Sequence, residues 1–130
     1  MAGSSNSVAK EKNVLGGELL ACSFAPLTGY FRDGSCATYG GEEVAHLVCV
    51  RVTAEFLAFS VERGNDLVTP VPEMRFKGLK PGDRWCLHVL RFVEAWKAGC
   101  APQVVLQATH EKALEFVPLA VLKRHALDLN

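Results

Sequence analysis

Ten side chains in this sequence have the chemistry of a site. The soft ligands are Cys36, His46, Cys49, Cys86, His88 and His110, and three aspartates, Asp33, Asp66 and Asp83, sit beside Gly or Asn in turn-like segments, with Arg84 following the last. Zinc takes about four Cys or His ligands in a tetrahedron, and structural sites usually draw them from close pairs. Cys86-Leu87-His88 puts a cysteine and a histidine on one face of a strand, whereas His46 and Cys49 fall on opposite faces of a regular one. There is no Cys-x-x-Cys pair. The simpler reading makes Cys49 and Cys86 small core hydrophobes, since cysteine is among the most buried residue types.

Cys36 follows a turn and precedes a glycine-rich loop. A loop thiol becomes a nucleophile when a histidine or cation lowers its pKa, and His110 is the candidate base, with Glu111 or Asp33 to orient it. Against that stands a turn cysteine with a surface histidine. The three aspartates, if they converge, suit a hard cation or a ligand; singly, Asp in such places hydrogen-bonds its own backbone. Arg32, Arg84 and Arg91 lie near apolar residues and are suited to clamping a carboxylate or phosphate. Phosphate loops of the Gly-x-x-x-x-Gly-Lys and Gly-x-Gly-x-x-Gly types are absent, as are the Gly-x-Ser-x-Gly and His-Glu-x-x-His motifs.

The elements that must position these groups follow from the pattern. His46 to Val52 is a β-branched run, hence a strand. Thr53 is a fitting N-cap and Gly64 a C-terminal stop for a helix over 54–63. Lys80-Pro81-Gly82-Asp83 has the residues of a type II turn, and it feeds Arg84 to Leu90, apolar on both faces except at His88 and read as a central strand covered on both sides. A helix follows from Phe92 to Ala98, then a strand from Gln103 to Thr109 returning as a hairpin through Ala113–Val117. A last helix runs from Leu119 to His125, with Pro118 in its first turn. Glu18 to Cys22 is a further short strand. The expectation is one α+β domain over 13–130, a mostly antiparallel sheet with about three helices packed on it.

At 130 residues and 49% apolar the chain can bury a core, and Lys plus Arg equals Asp plus Glu at 14 each. That balance argues against a nucleic-acid or membrane partner. The Ser-rich stretch Met1–Lys12 lacks the apolar segment of a secretory signal and is expected to be a disordered tail. The protein is accordingly expected in the cytoplasm, with all five cysteines reduced.

Several segments also resemble a known family. Asn13-Val14-Leu15-Gly16, the run Pro26 to Gly34, Gly64-Asn65-Asp66-Leu67, the run Gly78 to Leu87 and Ala108-Thr109-His110-Glu111 occur together in this order. They are similar to a family of small, mostly bacterial proteins known only as a domain of unknown function. The resemblance spans about residues 13–126 and implies a compact α/β domain without an established activity. The family commonly carries adjacent cysteines where this chain has Ser35-Cys36, and Cys-Leu-Cys where it has Cys86-Leu87-His88.

The functional expectation is a binding or accessory module. A small molecule or protein would be held where the loops of Asp33, Asn65, Asp66, Asp83 and Arg84 meet, because loops more often carry function while strands carry packing. No cofactor and no metal are expected. The alternative is a thiol-dependent enzyme using Cys36 with His110, and the third reading is structural zinc held by Cys and His.

Overall fold

A computed structural model describes residues 11–128. Its organising strand is β1, His46–Arg51, whose four residues from Leu47 to Val50 are all fully buried. β1 pairs antiparallel with β2, Arg84–His88, on one edge and with the two-residue β3, Gln103–Val104, on the other. The sheet order is therefore β2-β1-β3, and the β-branched run takes the middle. The apolar run after the Pro81-Gly82 turn forms an edge strand. Its outer side is covered by a loop, the Thr28 hydroxyl accepting the Cys86 N–H at 2.8 Å.

Among the described residues three helices complete the α+β fold: α1, Ala54–Glu62; α2, Val89–Lys97; and α3, Leu119–Arg124. α1 starts where expected, the Thr53 hydroxyl accepting the Phe56 N–H at 3.1 Å, and stops before Gly64, which takes φ +89°. α2 begins three residues earlier than the sequence suggested. His88 ends β2 and caps the helix, its Nδ1 accepting the Leu90 N–H at 3.1 Å. The turn at Lys80–Asp83 is as read: Gly82 sits at φ +97°, and the Asp83 N–H reaches the Lys80 carbonyl at 3.0 Å.

The chain after β3 departs from the expected hairpin. Leu106–Ala108 and Glu111–Glu115 are 3₁₀ turns. Side chains take the backbone groups a ladder would have used. The Asp128 carboxylate accepts the Leu106 and Gln107 N–H groups, and the Thr109 hydroxyl donates to the Val105 carbonyl. Pro118 caps α3 from outside rather than joining its first turn. No strand forms over 18–22; Glu18 makes one isolated bridge to Lys12. Of the expected tail, residues 1–10 lie outside the described residues, and Glu11 and Lys12 are already bonded into the fold.

The sheet has two different sides. Val48, Val50, Leu87 and Val104 join Phe56, Leu57, Phe92 and Ala95 in the larger core. Cys49 and Cys86, directly opposed across β1 and β2, join Cys22, Cys36, Val105 and Ala108 in a smaller one. These four cysteines are not the reduced thiols expected. They form disulfides Cys22–Cys49 and Cys36–Cys86, fixing the irregular segment before β1 onto the sheet; Cys100 is free.

Phe92, fully buried, and Trp85, half-buried on the edge strand, give the fold a direct check. Phe92→Ala should destabilise by about 3–5 kcal/mol, and Trp85→Ala by clearly less. Urea unfolding of both variants decides it; equal losses would put Trp85 in a central strand after all.

Candidate functional site

The groove with the most convergent chemistry lies at the end of the β1–β2 pair. It is a cleft of about 360 Å³ to which Arg32, His46, Asn65, Trp85, His88 and Arg91 contribute, with Leu67 and Met74 as apolar wall. None of its described lining residues is Asp or Glu. That size lies in the range of small-molecule pockets.

A bulge creates the central pair. The register runs Cys49↔Cys86 and Val48↔Leu87 and then slips, so that His46 opposes His88. An extra residue in one strand re-aims the side chains beyond it. His46 thus comes to the Cys49 face, where a regular strand would have turned it away. The two imidazoles meet edge to face with centroids 5.3 Å apart. His88 Nδ1 is occupied as the α2 cap, so in the neutral ring the proton sits on Nε2. His46 Nδ1 is buried without a hydrogen-bond partner among the described residues.

Burial, helped by neighbouring charge, disfavours the charged form of both rings. Burial pushes His46 below the usual histidine value, and the nearby His88 adds to this. Burial likewise lowers His88, with the Arg91 charge assisting. Arg91 is anchored: its guanidinium contacts Glu94 at 3.3 Å and the Arg63 carbonyl at 3.3 Å. Arg32 arrives from the opposite wall, 5.7 Å above the Trp85 ring. Its backbone sits at φ +56°, a region a bulky residue seldom adopts. The preceding turn depends on Gly29 at φ +105°, where a Cβ would stand 2.3 Å from the Ser35 carbonyl oxygen. Arg32 and Trp85 also border a second groove of about 440 Å³ that carries Arg75, Lys77, Lys80 and Asp83.

The residues singled out from the sequence are dispersed. Asn65 lines the histidine cleft and Asp83 the second groove. Asp33 and Asp66 line neither. Each aspartate shapes its own loop: Asp33 accepts the Ser35 N–H, Asp66 the Val68 and Thr69 N–H groups, and Asp83 the Lys80 N–H. The Asp66 carboxyl is lowered, first by its side-chain bond with Thr69 and then by these amides. Tyr39 donates to Asp33 and is pushed up to about 12, chiefly by that bond. Arg84 is exposed. The His46–His88 pair escaped sequence reading because only the bulge brings the rings together.

Cys36 is fully buried in its disulfide, so it presents no thiol to His110. His110 has a different neighbour. Its Nδ1 accepts the Lys112 N–H at 3.0 Å, and its Nε2 stands 3.3 Å from Glu11, close enough for an ion pair but without hydrogen-bond alignment. The Glu11 carboxylate also accepts the Thr38 hydroxyl and amide at 2.7 Å each and the Tyr39 amide at 3.2 Å. Burial alone would raise its pKa; these bonds, those of Thr38 foremost, outweigh it and hold the carboxyl below its usual 4.5.

Fold and cleft together define a small α+β domain with a basic, histidine-bearing groove and a cysteine-pinned N-terminal segment. The chain belongs to the family described as an uncharacterized protein conserved in bacteria (DUF2237), which matches residues 12–126. Comparison with curated proteins found no match. Among the described residues no helix is long and apolar enough to cross a membrane.

Glu11 gives a prediction with a definite sign. A carboxyl whose folded pKa is depressed contributes stability above its unfolded value near 4.5, and that contribution is lost as pH falls through the folded value. Glu11→Gln should therefore destabilise by about 1 kcal/mol at neutral pH, a partly exposed charged hydrogen-bond acceptor being worth less than a buried one. The gap to the parent protein should close well below pH 4.5. Urea titrations across pH measure it; a gap independent of pH would contradict the assignment.

Proposed function

We propose that the protein is a small-molecule binding module whose ligand carries a carboxylate or phosphate, held in the His46–His88 cleft. One observation carries the reading: Arg32, Arg91, His46 and His88 converge on a cleft whose described lining has no carboxylate. An anion entering there meets the Arg32 guanidinium and N–H donors, with the Arg91 guanidinium held in place by Glu94 from outside the lining. Trp85, Leu67 and Met74 suit an apolar or aromatic body behind the charged group.

In this reading Asn65 is a ligand contact, and Asp33, Asp66 and Asp83 act by shaping the loops around the cleft. Arg84 lies outside it. The thiol-enzyme alternative is less well supported, since Cys36 is engaged with Cys86. A cytoplasmic setting, with neither nucleic acid nor membrane as partner, remains part of the proposal and fits the balanced charge. A reducing compartment would open the disulfides for part of the protein's life.

Binding should be linked to protons. Both histidines have lowered pKa values in the free protein, and a bound anion raises them, so binding takes up protons. Affinity for inorganic phosphate or malonate should therefore rise as pH falls below 6.5, the ordinary histidine value, and level off once both rings are charged in the free state. Arg32→Gln should weaken binding about tenfold or more, the value of one charge-assisted bond. Calorimetry with these two probes is the test. No heat with either, or full affinity in the Arg32 variant, would sink the reading.

A further inference from the structure

The two disulfides are not separate staples. Cys49 and Cys86 face each other across β1 and β2. Neither N–H crosses to the other strand: that of Cys49 goes to the Thr109 hydroxyl at 3.1 Å and that of Cys86 to the Thr28 hydroxyl at 2.8 Å. This is the closer, non-hydrogen-bonded kind of antiparallel pair, with both side chains on one face. Cys22 and Cys36 descend onto that face from the N-terminal segment. The sulfurs of Cys22, Cys36 and Cys49 lie within 4.8 Å of one another, and Cys86 is bonded to Cys36. All four cysteines are at most 5% exposed.

We propose that these four sulfurs, once reduced, bind a single zinc ion as a tetrahedral tetrathiolate site. The spacing fits. Zinc–sulfur bonds of about 2.3 Å put the sulfurs of a tetrahedron about 3.8 Å apart; the sulfurs of Cys22, Cys36 and Cys49 already lie within 4.8 Å of one another, and Cys86, bonded to Cys36, completes the set once the bonded pairs open. The Cα separations within the pairs, 5.7 and 5.4 Å, let each pair span one metal. Two ligands stand on paired strands and two on loop backbone that can adjust. Each ligand comes from a different segment, so no Cys-x-x-Cys spacing marks the site in the sequence.

The chemistry balances. Each disulfide takes two electrons and two protons from a dithiol reductant, which itself becomes a disulfide. The four thiols then release four protons to solvent as zinc binds, leaving a centre of charge −2. Cys86 is also a wall of the cleft that carries Arg32 and Arg91, which gives that charge cations on one side. The site does not depend on any ligand in the cleft.

The test uses the full chain, reduced with a phosphine under argon, exposed to zinc or cobalt(II), and desalted. The reduced protein should hold about one zinc per chain and the oxidised protein none. Cobalt should give the intense visible bands of a tetrahedral site with thiolate charge transfer in the near ultraviolet. Cys22→Ser and Cys49→Ser should lose the signal, and Cys100→Ser should keep it. A reduced, folded protein holding well under one equivalent, weak octahedral cobalt bands, or loss in Cys100→Ser would overturn the proposal. Should the reduced protein unfold without metal, recovery of near-ultraviolet dichroism on adding zinc supports the site, and failure to recover overturns it.

Discussion

The fold depends on holding down a long stretch of chain that has no regular structure. Between Glu11 and Ala45 there is neither helix nor named strand, so backbone ladders cannot fix it. Side chains do. Asn13 sends its amide nitrogen to the Glu18 and Gln107 carbonyls and accepts the Leu15 and Gly17 N–H groups. Thr28 holds the edge of β2, and Glu11 grips Thr38 and Tyr39. The disulfides close loops of 27 and 50 residues, each worth about 3.5–4 kcal/mol in the chain-entropy account. Without them this segment would give up ordering entropy for few apolar contacts.

The cleft inherits this dependence. Gly29, Tyr30 and Arg32 of its wall belong to that pinned segment, while His46, Trp85 and His88 belong to the sheet it is pinned to. The Cys36–Cys86 bond joins the two halves, and Cys86 itself lines the cleft. Opening the disulfides therefore loosens one wall against the other, and a metal on the same sulfurs would restore the hold. Sulfur chemistry and ligand binding are thus mechanically adjacent, two residues apart at Cys86 and His88.

Much of the fold could be read from local chemistry. Thr53 and Gly64 bracket α1, Pro81 and Gly82 make their turn, and the β-branched run forms a strand. Each is decided by a few neighbouring residues. What escaped reading was decided at long range. The Arg84–His88 run is covered on both faces as its pattern says, Leu87 in the larger core and Cys86 in the smaller. Yet it lies at the sheet edge, where Thr28, far away in sequence, takes the Cys86 N–H in place of a further strand. The expected hairpin fails because Asp128 and Thr109 take its amides and carbonyls. The bulge that turns His46 toward His88 leaves no mark in residue types. Cys22, Cys36, Cys49 and Cys86 come from four segments, so their pairing was invisible to spacing.

The most direct test of the account is an NMR titration of the imidazole nitrogens of His46 and His88, with and without malonate. The account predicts that both rings titrate below 6.5 in the free protein, that His88 shows the Nε2–H tautomer, and that malonate moves both pKa values upward together. Two histidines titrating at 6.5 and indifferent to the anion would contradict it.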